Sequence, residues 1–209
     1  MGANMLEKIE FFMNKDEYDI KLKKEKNRYR LHFNTGKNRL GILYKISAAL
    51  YVQNWNIIEL NADTREDGVV EDSFLIEPIE EKLSYFQEHT LLSAIKKLLN
   101  SDISAMSYIS KYPNKWKKIH DSKRLETGKV AVSELSYNRY SLVIETEDRP
   151  GLIFEITQIL YRFFFDIIHM ESVTEKDRAF DKILVIRDPD KRSKDDANIL
   201  KVAIEKIIN

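Results

Sequence analysis

The residues best suited to chemistry in this chain are four polar side chains at two matching stations. Asn38 begins the loop Asn38-Arg39-Leu40-Gly41, and Asp148 begins Asp148-Arg149-Pro150-Gly151. Asn56 and Asp166 begin the strands that follow the next helices. A polar loop opening an apolar helix offers backbone N–H groups without intrahelical partners and the positive end of the helix dipole. That end suits a carboxylate. A zwitterion such as an amino acid also carries an ammonium, which calls for an amide or carboxylate oxygen. Asn38 and Asn56 supply it in the first region, Asp148 and Asp166 in the second. Pro150 removes a donor from the second loop, which favours the first as the carboxylate site. The same types are ordinary helix caps (Asn38, Asp148) and strand-start residues (Asn56, Asp166), and that role alone accounts for each taken singly. Asp72 and Asp181 read as strand-ending residues.

Other chemistries find little support. There are no cysteines, so thiolate nucleophiles, disulfides and zinc–thiolate sites are excluded. The four histidines, His32, His89, His120 and His169, show no helix-face metal spacing. His120-Asp121 spells a metal-phosphohydrolase dipeptide, but it sits in a Lys-rich stretch without the further ligands a metal needs. No Gly-rich phosphate loop appears, and nothing sets a nucleophile beside a base. The expectation is a non-enzyme without metal or cofactor. Lys and Arg together number 34, as do Asp and Glu. That balance argues against a nucleic-acid partner, and the basic run from Lys115 to Arg124 around Trp116 reads as a solvated linker. No apolar run approaches the roughly 20 residues of a membrane span, and the start shows no signal-peptide pattern, so the expected compartment is the cytoplasm.

The elements that must position the four residues come in duplicate. Asn27-Arg28-Tyr29-Arg30-Leu31 recurs as Asn138-Arg139-Tyr140-Ser141-Leu142, and Gly41-Ile42-Leu43 as Gly151-Leu152-Ile153. Trp55-Asn56-Ile57-Ile58 recurs as Phe165-Asp166-Ile167-Ile168, and Asp72-Ser73-Phe74-Leu75 as Asp181-Lys182-Ile183-Leu184. The offset runs 111, 110 and 109, changing only across two loops. This is a duplicated module, so function must explain a pair.

Within the first copy the alternation predicts strands at 18–23, 28–34, 55–65 and 69–77, with Asp67-Gly68 as a two-residue hairpin. Helices are expected over about 40–53 and up to Asn100. In the second copy strands are expected at 129–135, 139–146, 165–175 and 179–187, with helices from Pro150 to Arg162 and after a Ser193-to-Asp196 capping box. Ile103 to Lys111 competes with residues 18–23 for the edge of the first sheet. Phe163-Phe164-Phe165 cannot all face one core, so one should meet the sister unit. The fold class is α+β, two tandem ferredoxin-like units, each a four-stranded antiparallel sheet with two helices on one face. The units span 17–111 and 129–209, joined by a linker at 112–128. A bare sheet face or edge of each should be covered by the other, and a homodimer would extend the same principle.

The run Glu145-Thr146-Glu147-Asp148-Arg149-Pro150-Gly151-Leu152-Ile153, with Asp166-Ile167-Ile168 and Asp181 before Leu184-Val185, resembles an ACT domain. The first copy is similar, departing at Leu40, where the family usually has proline. The pair resembles the tandem ACT tail of the bacterial uridylyltransferase that senses glutamine, and standalone double-ACT regulators of the glycine cleavage repressor type. It covers about residues 17–208. The resemblance implies a non-catalytic regulator that binds an amino acid, glutamine or glycine first, and signals to a protein partner. It places ligand contacts at Asn38, Arg39, Leu40, Gly41, Asn56, Asp148, Arg149, Gly151 and Asp166, at the seam between units. The rival reading is a protein-interaction or transcription-regulatory module whose ligand sites are vestigial.

Overall fold

The structure is a computed structural model that describes residues 8–11, 18–79, 85–101, 103–114 and 128–209. Its strands are β1 (Lys8–Phe11), β2 (Tyr18–Glu25), β3 (Arg28–Thr35), β4 (Trp55–Thr64) and β5 (Val70–Pro78), then β6 (Lys129–Ser136), β7 (Arg139–Glu147), β8 (Phe165–Glu175) and β9 (Arg178–Arg187). Its helices are α1 (Ile42–Val52), α2 (Tyr85–Leu99), α3 (Ala105–Ile109), α4 (Leu152–Arg162) and α5 (Asp196–Ile208). From β2 to α2 and from β6 to α5 the order is the same: strand, strand, helix, strand, strand, helix.

The two sets of four strands are one sheet, not two. Its order is β1-β2-β3-β5-β4-β8-β9-β7-β6, and every pairing is antiparallel. The join is β4 against β8, where Asn61 faces Glu171, its own repeat equivalent. A local two-fold axis therefore runs through this pair. Left apart, β4 and β8 would each be an edge with unpaired backbone groups, and pairing them removes both edges.

Alternation decides which face is covered. Tyr29, Leu31 and Phe33 on β3 and Tyr140, Leu142 and Ile144 on β7 are buried under the helices. Each contributes about 1.5–3 kcal/mol on burial. The opposite face carries charges such as the Arg30–Glu59 and Arg178–Glu145 pairs. Helix α1 buries almost its whole circumference, because α2, α3, α4 and β4 all pack around it. At the centre of the α1–α4 contact Ser47 Oγ and Thr157 Oγ1 are 3.1 Å apart, again repeat equivalents on the same axis. The buried side chains of the two halves thus form one continuous cluster rather than two separate cores.

Several expectations need correction. Residues 103–111 are no edge strand: Ala105–Ile109 is helical, with Ser104 Oγ accepting from the Ser107 N–H at its start. The edge belongs to β2, and beyond it to β1. The β4–β5 connection is longer than a two-residue hairpin: Arg65 N–H donates to the Val69 carbonyl around Glu66-Asp67-Gly68, with Gly68 left-handed at φ 84°. The β8–β9 connection is the two-residue one, Lys176 and Asp177 both having positive φ. Of the three phenylalanines, Phe165 is buried and reaches the other half, while Phe164 is exposed beneath Lys191. His120-Asp121 and most of the linker, 115–127, lie outside the described residues.

Candidate functional site

Each helix-opening loop ends in a left-handed glycine, Gly41 at φ 90° and Gly151 at φ 91°, which occupy the N-cap positions of α1 and α4. Neither helix has a side-chain cap bond there. Asn38 and Asp148 thus stand three residues ahead of the N-cap positions rather than at them. The loops are anchored instead by the hairpin tips: Asn38 N–H donates to Gly68 O at 2.8 Å, and Asp148 N–H to Asp177 O at 2.9 Å.

The four polar residues meet crosswise. Asn38 Nδ2 donates to Asp166 Oδ2 at 2.6 Å, and Asn56 Nδ2 to Asp148 Oδ2 at 3.3 Å. Each pair joins the loop of one half to the strand start of the other, whereas the sequence suggested pairs within a half. The cause is the two-fold join: antiparallel β4 and β8 carry each strand start to the far half's loop. Both strands also bulge just after the polar residue, at Ile57/Glu59 and Ile167/His169.

Two clefts result. The first, about 420 Å³ counted out to its mouth, is lined by Asn38, Arg39, Gly41 and Asp166, with Tyr161 and Asp72. The second, about 270 Å³, is lined by Asn56, Asp148, Arg149 and Gly151, with Tyr51 and Trp55. Of the candidates, Leu40 lines neither; it is exposed on its loop. Sequence reasoning missed Tyr51 and Tyr161. Each lies on the opposite half's glycine, so that a Cβ on Gly41 would come within 2.6 Å of Tyr161 and one on Gly151 within 3.0 Å of Tyr51. Their recurrence in the repeat was the available signal. Between the clefts runs a column of rings, Tyr161–Tyr44–Phe154–Tyr51, with centroids 5.1, 5.5 and 6.3 Å apart.

Electrostatics separates the pair. Burial pushes the Asp166 and Asp148 carboxyls above the usual carboxylate range, each held back by its asparagine partner. Asp72 at the first cleft is pushed up to about 8, by burial and then by the Asp63 charge. Its equivalent Asp181 is raised to about 7 by burial, with Ser172 opposing the shift and the Asp148 charge adding to it. Arg149 at the second cleft donates to Glu155 and to the Ile207 carbonyl. Glu155 has no counterpart in the first half, where Lys45 stands and donates to the Ser101 carbonyl at 3.3 Å. Among the described residues no three His, Asp or Glu side chains gather as a metal site requires, and no helix is long and apolar enough to cross a membrane.

No curated protein matches the chain. A solved structure of an unknown protein from Galdieria sulphuraria is 16% identical over 87% of this chain and 91% of its own, at a TM-score of 0.30. The trimeric bacterial microcompartment shell protein PduB is 7% identical over 90% of this chain and 78% of its own, at 0.26. Neither value amounts to a shared fold. The ACT domain model matches residues 140–203, the stretch from β7 into α5 that supplies Asp148, Arg149, Gly151 and Asp166.

Proposed function

We propose that the chain is a tandem of two ACT units, 17–111 and 129–209, that binds a free amino acid or similar zwitterion at the seam and signals its occupancy to a protein partner without catalysing a reaction. The observation that carries this reading is the crosswise pairing of Asn38 with Asp166 and of Asn56 with Asp148 at two clefts related by the local two-fold. Such a cleft offers what a zwitterion needs. Helix-opening N–H groups face a carboxylate, and carboxylate or amide oxygens from the other half face an ammonium. Its walls belong to different halves, so a ligand there would bind one arrangement of the halves in preference to another. That differential affinity is the basis of a regulatory signal.

The test is a thermal-shift screen of the common amino acids, glutamine and glycine first on the ground of the resemblance. A ligand at a hundredfold excess over its Kd stabilises by about 2.7 kcal/mol, several degrees for a chain of this size. The expected result is a shift for at least one amino acid, reduced by Asn38→Ala. Absence of any shift across the set contradicts the reading and leaves the interaction-module alternative.

A further inference from the structure

Resting on the seam-site reading, we infer that the first cleft alone takes the ligand, one molecule per chain, and that Asp72 receives the ligand's protonated amine. The two clefts share a backbone plan but not a floor. The first extends past the loop to the strands, so that Thr64, Val70 and Asp72 join its lining. The second stops short of them: Asp181, in the same register, is not among its lining residues. Asp72 is only 4% exposed, and the charge acting on it is that of another carboxylate, Asp63. Asp166 lines the same cleft. A buried carboxyl among carboxylates gains most from a cation placed beside it, because the cation replaces lost hydration and offsets repulsion together.

The second cleft has the opposite character. Its Arg149 side chain is only 13% exposed, and Nη1 is buried without a hydrogen-bond partner. Trp55 Nε1 is likewise buried and unpartnered. An incoming ammonium would meet Asp148, already engaged by Asn56, and an Arg149 whose charge is answered by Glu155, with no further buried carboxyl among the lining residues to receive it. At the first cleft Arg39 is exposed, where water screens its charge.

The experiment is isothermal titration of the full chain with three matched probes: the L-amino acid giving the largest thermal shift, its 2-hydroxy acid, and its decarboxylated amine. The expected stoichiometry is one, with the hydroxy acid weaker by about tenfold or more, the scale of a lost charge-assisted hydrogen bond. Asp72→Asn should weaken the amino acid by about the same factor, and Asp181→Asn should leave it within about twofold. Asparagine mimics the neutral carboxyl, so both variants should fold; if one does not, the wild-type stoichiometry and the probe comparison still decide. Two molecules per chain, a hydroxy acid binding as tightly as the amino acid, or an Asp72→Asn variant with undiminished affinity overturns the inference while the seam site stands. Binding of none of the three probe classes overturns the seam site and this assignment with it.

Discussion

The two clefts are built by the same backbone from equivalent residues, yet they have diverged in charge. Both keep the left-handed glycine, the tyrosine from the opposite half and the crosswise polar pair. Beneath that frame, the second has folded its arginine inward onto Glu155, while the first has Lys45 at that station and a buried Asp72 at its floor. Duplication preserves what backbone geometry demands. Side chains that only touch the cleft are free to change, and here their change leaves a buried carboxyl, Asp72, at one cleft and an Arg149–Glu155 ion pair at the other.

The comparison breaks most sharply at Glu155. Replacing it by alanine leaves Arg149 buried without its counter-charge, which should cost about 3–5 kcal/mol in urea denaturation. Lys45→Ala at the equivalent place should cost no more than about 1 kcal/mol. Equal losses would mean that the halves have not diverged there. Next come the glycines. An alanine at Gly41 must adopt φ 90° and displace the Tyr161 ring from 2.6 Å, whereas Gly151 meets Tyr51 at 3.0 Å. Both should destabilise, by about 1–3 kcal/mol, with Gly41 the larger.

A smaller, pH-dependent contrast involves the buried acids. Asp72 ionises near 8 when folded, against 3.8 ordinarily. Between those values the unfolded chain has released the proton and the folded chain has not. The stability contribution is therefore full at low pH and falls as pH rises from about 4 to 8. Asp181 follows the same sign over a window ending near 7. Asp72→Asn should raise the melting temperature at pH 8 and leave it nearly unchanged at pH 4. Asp181→Asn should do the same with a smaller gain at pH 8. A gain at pH 4 equal to that at pH 8 would show that packing, not ionisation, is responsible. Smallest should be the hydroxyl pair on the axis: Ser47→Ala with Thr157→Val removes both partners at once and should change stability by less than about 1 kcal/mol.

Much of this architecture was legible because it rests on local pattern. Alternation along β3 and β7 and the apolar stripe of α4 mark burial directly, and the boundaries fell within a few residues. Residues 103–111 are ambiguous in sequence because a short apolar run suits a strand and a buried helical turn alike, and Ser104 at its start is a weak signal. The strand β1 pairs through only four residues, too few for alternation to register. The site was half legible. The repeat marks Asn38, Asn56, Asp148 and Asp166 as a set, but their pairing depends on β4 meeting β8, a contact between residues more than 100 apart in sequence. Asp72 looked like a strand end, since only the folded arrangement brings its carboxyl to the cleft. The inward turn of Arg149 depends on Glu155 and on the end of α5, neither of which its own loop reveals.

The claim that each cleft is assembled from both halves is tested most directly by four alanine variants, Asn38, Asn56, Asp148 and Asp166, each titrated with the best amino acid of the screen. The quantity to read is the ligand-induced increment in melting temperature, because each substitution also changes the baseline. Crosswise assembly with the first cleft occupied predicts that Asn38→Ala and Asp166→Ala, in opposite halves, both abolish most of the increment, while Asn56→Ala and Asp148→Ala leave it largely intact. Increments lost together by Asn38→Ala and Asn56→Ala, with both aspartate variants unaffected, would place the site within one half and contradict the account.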